Sequence, residues 1–279
     1  MLRLTLLIAF LAGDVSWTQA NEAVEKCAAE AERNDFNLSI DFCTVAIQSG
    51  QLSDQELAII FNNRAFAYYN KRDYQQAIRD YDRAISLQPH YALALTRRGA
   101  ALLEKRQYEQ ALADYEAATQ LDAKSVSDRS KGFLFFFLGR MTQSAETFEN
   151  YLKSEPDDIG VILFRYLVEA KIGNALAAAR ELEADSAKLK ERHWPMPIID
   201  FHLGKIDETA LFAAANDADS SKRSEQICAA NFHAGEARLL RANVTTAIDL
   251  LRTAEKVCPS HLYESHGATT ELERLGQKR

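Results

Sequence analysis

The chain has 279 residues and a formal charge of −7, with 33 basic against 40 acidic side chains. That balance excludes the basic face a phosphate backbone requires, so no nucleic-acid partner is expected. Only 11 glycines and 5 prolines among many alanines favour helices over a β-sandwich.

Residues 1–20 read MLRLTLLIAFLAGDVSWTQA. One arginine precedes the apolar run Leu4–Ala12, and the small residues Thr18 and Ala20 close the stretch. This is the pattern of a secretory signal peptide cleaved near Ala20, and the mature chain is expected to start near Asn21. The run is shorter than the roughly 20 residues that span a bilayer; an uncleaved anchor is the competing reading. No later stretch is apolar enough to cross a membrane. The mature chain is therefore expected in the periplasm or secreted, with no stable membrane insertion after cleavage.

Segment 21–55 reads as a helical hairpin, with helices over 22–33 and 37–48 and a stop at Gly50. Ser53 with Glu56 three residues on predicts the N-terminal cap of the next helix. From there a period of 34 appears: Ala65 recurs as Gly99, Tyr74 as Tyr108, Ala77 as Ala111, Tyr81 as Tyr115 and Ala84 as Ala118. A fixed period of this size marks a helical repeat array, and the residues resemble the tetratricopeptide (TPR) motif. A third copy with one residue deleted runs through Gly132, Ser144, Phe148, Tyr151 and Pro156. A weaker fourth over 159–185 turns at Gly173-Asn174. A last copy carries Gly235, Ala247, Leu251, Ala254 and Pro259. The expected fold is all-α, a TPR-type right-handed solenoid of antiparallel helix pairs, with the array over 56–185. The charged residues of RDYDR, Arg79 to Arg83, are expected on the solvent face.

Between 186 and 222 the period breaks. Pro195 and Pro197 stop any helix there. Short helices are expected at about 197–204 and after Asp207. The segment 223–279 then holds the last repeat and an amphipathic capping helix over 261–275. His261 and His266 are expected at the surface, and no metal ligand set or cofactor motif stands out.

The four cysteines fall symmetrically about predicted turns. Cys27 and Cys43 have their midpoint at 35, and Cys228 and Cys258 at 243. Antiparallel helices bring residues equidistant from a turn to one height, so the pairs Cys27–Cys43 and Cys228–Cys258 are expected as disulfides of an exported protein. Closing loops of this size is worth roughly 3 kcal/mol in the chain-entropy model.

The strings CTVAIQSGQLS and NRAFAYYNKRDYQQAIRDYDRAISLQP resemble bacterial exported TPR proteins, as do WPMPIIDFHLGKI and ELERL in the second half. The similarity extends to NlpI-type periplasmic TPR lipoproteins, which scaffold cell-wall hydrolases and a processing protease; this chain lacks their lipobox. The resemblance implies a non-enzymatic scaffold binding a peptide or protein segment of an envelope partner on the concave face of the first helices. On this sequence those positions are Asn62, Asn63, Phe66, Tyr69, Asn70, Arg97, Arg129, Phe133 and Phe137. The amides suit an extended peptide backbone and the arginines suit carboxylates. Whether Phe133 and Phe137 line a pocket or pack in the core is left open, as is a homo-oligomer. No nucleophile–base pair or phosphate loop argues for an enzyme. The alternative is a small-ligand or glycan-binding module that uses the aromatics and the Trp194 turn.

Overall fold

The computed structural model describes residues 17–124, 126–190 and 193–277. Among the described residues every regular element is helical. In chain order these are α1 (Trp17–Glu32), α2 (Phe36–Gln48), α3 (Asp54–Asn70), α4 (Tyr74–Leu87), α5 (Ala92–Glu104), α6 (Tyr108–Leu121), α7 (Asp128–Phe137) and α8 (Met141–Ser154). Then come α9 (Ile159–Glu169), a π-helical segment (Ala170–Asn174), α10 (Ala175–Lys188), α11 (Met196–His202), α12 (Glu208–Ala214), α13 (Ser220–Leu240), α14 (Val244–Val257) and α15 (Tyr263–Arg274).

The signal-peptide reading falls largely on residues 1–16, outside the described residues. The expected boundary at Ala20 lies inside α1, and Ala20 and Ala23 are both buried. The helix starts upstream of the expected position because WTQANEAVEK contains no breaker.

Short polar residues start the helices. Ser53 and Glu56 form the full capping box expected for α3, and Asp207 caps α12. Asp35, Asp73, Ser127, Asp158, Asp219 and Asn243 accept backbone N–H bonds in the same way. Hairpin turns need one left-handed residue. Gly139 supplies it at φ 74°, whereas Arg72, Arg106 and Ala242 adopt φ near 60° without being glycine. In the fourth pair the expected turn at Gly173-Asn174 is a π-helical segment with Gly173 at φ 101°.

The described residues form two compact units, 17–105 with 114–124, and 106–113 with 126–277. The first is built on small contacts: Ala65, Ala77, Tyr81, Ala84, Ala94 and Ala101 form one buried cluster, and Cys27, Cys43, Ala46 and Ile60 belong to another. The second has an aromatic core in which Phe133, Phe136, Phe148, Phe164 and Phe232 are each at most 1% exposed. Both disulfides form, Cys27–Cys43 and Cys228–Cys258, each with a Cα–Cα separation of 4.8 Å.

Candidate functional site

In the first unit the candidate residues lie on α3 and α5; Asn63, Phe66, Tyr69 and Arg97 are half-buried, Asn70 is exposed, and Asn62, against expectation, is buried. Asn62, Asn63, Phe66, Tyr69 and Asn70 recur at helical spacing, so they make one stripe on α3. From α5, Arg97 reaches back over it, with its guanidinium carbon 4.5 Å from the Phe66 ring centroid. Phe66 meets Phe36 edge-on at 6.3 Å, and Asn70 Nδ2 donates to the Phe66 carbonyl at 2.8 Å. The Phe36 contact packs the ring from the side, while the Asn70 bond ties Asn70 to the α3 backbone. Tyr69 lies against Tyr74 at 5.5 Å. Burial, with the Glu104 carboxylate beside it, pushes the Tyr74 hydroxyl up to about 12, so it stays a neutral donor. Asn62 sits beneath this face: it is buried, its Nδ2 donates to Asn63 Oδ1 at 3.3 Å, and it positions the Asn63 amide.

Adjacent arginines do different work. Arg98 donates to both Asp114 oxygens at 2.8 and 2.7 Å, and its Nη1 reaches Asp82 at 2.7 Å. Arg64 grips Asp80 in the same bidentate way at 2.7 and 2.8 Å and also reaches Thr44. Arg97 has no carboxylate partner among the described residues. It is a half-buried cation held over a ring. Asp80 is a correction to the expected solvent face, because the charge of Arg64 draws it inward to 6% exposure.

In the second unit the candidate residues are differently placed. Arg129 is engaged: Nε donates to Asp158 at 2.8 Å, and the guanidinium lies over the rings of Phe133 and Tyr263. Phe133 and Phe137 are 1% and 3% exposed. Phe133 stacks on Tyr263 with centroids 3.6 Å apart and meets Phe148 and Phe164 edge-on. These rings are core, covered by α8, α9 and α15. His266 is also a correction. It is buried and bonds Tyr108 through Nδ1 at 3.0 Å, while His261 is exposed as expected.

Other titratable clusters are structural in character. His202 Nε2 and His233 Nδ1 meet at 3.1 Å, and burial holds both imidazoles far below the usual range. Among the described residues no group of three His, Cys, Asp or Glu side chains is placed to hold a metal. No described helix is long and apolar enough to cross a membrane. A pocket of about 360 Å³ is lined by His193, Trp194, Asp217, Lys222, Glu225 and Gln226.

Residues 58–91 and 92–125 each match a tetratricopeptide repeat model. Two TPR motifs therefore occupy residues 58–125. A tetratricopeptide repeat protein from Parabacteroides merdae has the same fold, with a TM-score of 0.62 at 15% identity over 91% of this chain and 99% of that one. The C-terminal part of a TPR repeat-containing protein from Cytophaga hutchinsonii matches at 0.57 and 15% identity, over 88% of this chain and 98% of its own. MamA of Desulfovibrio magneticus RS-1, from residue 41 to its end, matches at 0.51 and 19% identity, over 61% of this chain and 94% of its own. At these identities the likeness is one of fold: an all-α, TPR-type solenoid.

The TPR register explains the packing beyond the matched repeats. In each TPR a small residue in the first helix faces a large one 16 positions later. A Cβ added at Gly132 would lie 2.5 Å from the Phe148 ring, and one at Gly235 would lie 2.9 Å from Leu251. Cys27 and Cys43 stand in that same relation, at a separation of 16, so a disulfide replaces the small-to-large contact in the first hairpin. Ser144, unlike the usual alanine, keeps the helices close by donating to the Gly132 carbonyl at 2.8 Å; Ser39 does the same to Cys27.

Proposed function

We propose that the chain is a non-enzymatic TPR scaffold that binds an extended peptide or protein segment on the α3–α5 face. The observation that carries this is Arg97: a guanidinium held over Phe66, without a carboxylate partner among the described residues, on the face that also carries Asn63 and Asn70. A planar guanidinium suits a carboxylate, from an acidic side chain or a chain end, and the remaining amide groups of Asn63 and Asn70 suit peptide N–H and C=O groups. The two disulfides and the leader-like residues 1–20 support an exported, oxidising compartment, and hence an envelope partner.

The test is in-cell crosslinking of the tagged chain, read by mass spectrometry, for wild type, Arg97→Glu and Arg83→Glu. Arg83 is exposed on α4 and serves as the charge control. The expected result is a discrete set of envelope proteins lost with Arg97→Glu and kept with Arg83→Glu, at unchanged helical circular dichroism. Identical sets from all three would remove Arg97 from the site.

A second reading has one observation behind it. The pocket at Trp194 sets an aromatic ring beside Gln226, Asp217 and Glu225, a combination that suits a sugar ring. Glycan retained on the bait and released by Trp194→Ala would favour it.

A further inference from the structure

Helix α15 is expected from its sequence to cap the last repeat with an apolar stripe. It is instead enclosed within the second unit, and its buried side is largely polar. Eight of its twelve residues are buried, Ser265 through Leu272, and of these only Ala268 and Leu272 are apolar side chains. By contrast α9 buries Val161, Ile162, Leu163, Phe164, Leu167 and Val168. Apart from Ala268 and Leu272 in the core, with Tyr263 and Leu275 packed against it, α15 is held by individual polar contacts.

Those contacts resemble a ligand in a cleft. Tyr263 stacks on Phe133 of α7. Gly267 passes so close to α13 that an added Cβ would lie 2.7 Å from the Phe232 ring. Glu271 meets Lys171 of the π-helical segment at 3.1 Å. Arg274 donates to the Phe136 and Phe137 carbonyls at the end of α7 at 2.6 and 3.0 Å. The last repeat is closed without α15: Cys258, bonded to Cys228, is the final residue before the linker 259–262. The disulfide therefore holds α13 to α14 whether or not α15 is docked.

We propose that α15 is an intramolecular ligand that leaves its seat on α7, α13 and α14 as a unit and blocks that seat while docked. The partner that would replace it is a helix of the same make. It has a small residue at the Gly267 position, a carboxylate four residues later for Lys171, and an arginine at the Arg274 position for the α7 carbonyls. The Arg97 face is not involved, so this inference stands or falls apart from it.

The first test is native-state hydrogen exchange of the oxidised full chain. Amides of α15 are expected to exchange at least about tenfold faster than those of α13 and α9, through an opening that leaves those helices protected. Exchange of α15 in step with α13 would overturn the proposal without any variant. The second test adds a fluorescent peptide of residues 260–277 to full-length wild type and to full-length Gly267→Leu, whose own helix no longer fits beside Phe232. Tighter binding to the variant, weakened by Glu271→Lys in the peptide, is expected. Equal binding to both chains, or indifference to Glu271→Lys, would also overturn it. Dimerisation of wild type through exchanged α15 would support it, with a second copy as the occupant.

Discussion

Cys43 faces Cys27 across the first hairpin at the spacing that elsewhere sets Phe148 over Gly132 and Leu251 over Gly235. Among the described residues the first hairpin packs chiefly on α3, so packing alone holds it less well than a hairpin with neighbours on both sides. The covalent bond closes a short loop at the same contact and limits the unfolded ensemble by roughly 3 kcal/mol. The double variant Cys27→Ala with Cys43→Ala should therefore lose about that much stability in α1 and α2, read as faster amide exchange there. Replacement by the chain's own other solution, Cys27→Gly with Cys43→Phe, should recover part of the loss. If α1 exchange does not respond to either change, the contact is not what holds the first hairpin.

Gly132 tests the same relation from the other side. Its Cα lies under a ring that is fully buried, so an added methyl must push Phe148 into Phe133. Gly132→Ala should cost about 1–3 kcal/mol by overpacking, although alanine is the better helix former. Combining it with Phe148→Leu, which frees volume at the same point, should cost less than the sum of the two single changes. Urea unfolding of the four chains measures it; strict additivity would refute the contact.

The array was legible because its period shows in small residues, and small residues are where helices touch. The disulfide pairs were legible from their symmetry about predicted turns. Other features lie outside what one repeat copy reveals. Arg64–Asp80 and Arg98–Asp114 recur 34 apart, a signal present in the sequence, yet a charged residue in an amphipathic helix reads as solvent-facing until its partner is known. Phe133 and Phe137 occupy motif positions that face outward in an isolated TPR, and the helix that covers them, α15, lies over a hundred residues away. His266 and Glu271 are buried by the same long-range docking, which their polar surroundings in the sequence conceal.

Arg97 and Arg98 are neighbours with opposite roles, and the same substitution should separate them. Arg98→Ala leaves Asp114, 8% exposed at its side chain, without its bidentate donor. It should lower stability by about 1.5–3 kcal/mol. Arg97→Ala breaks no ion pair and should lower stability by only about 0.5–1 kcal/mol, the worth of its contact with Phe66, while reducing capture of a partner. The check is thermal unfolding and partner crosslinking of both variants side by side. A large stability loss for Arg97→Ala would make it a structural residue and remove the argument for the α3–α5 face.

Glu236 makes the stability of the folded chain depend on pH. It is fully buried on α13 and meets Lys171 Nζ at 2.8 Å, the same ammonium that reaches Glu271 of α15. Burial pushes its carboxyl up from 4.5 to about 7; Lys171 opposes the rise and Glu271 adds to it. Between those values the folded chain holds a proton that the unfolded chain has lost. The contribution of Glu236 to stability therefore falls as pH rises from about 4.5 to 7, by up to about 1.4 kcal/mol per pH unit, and levels off above that. His202 and His233 pull the other way. Held neutral by burial, they contribute stability above the ordinary histidine range that is lost as pH falls below it. The raw profile thus mixes two slopes, and the difference between wild type and Glu236→Gln isolates one. Urea unfolding at pH 5, 6, 7 and 8 should show the variant gaining on wild type with each step up to pH 7, because glutamine has no proton to lose. A constant difference across the series would mean that Glu236 does not titrate in this window.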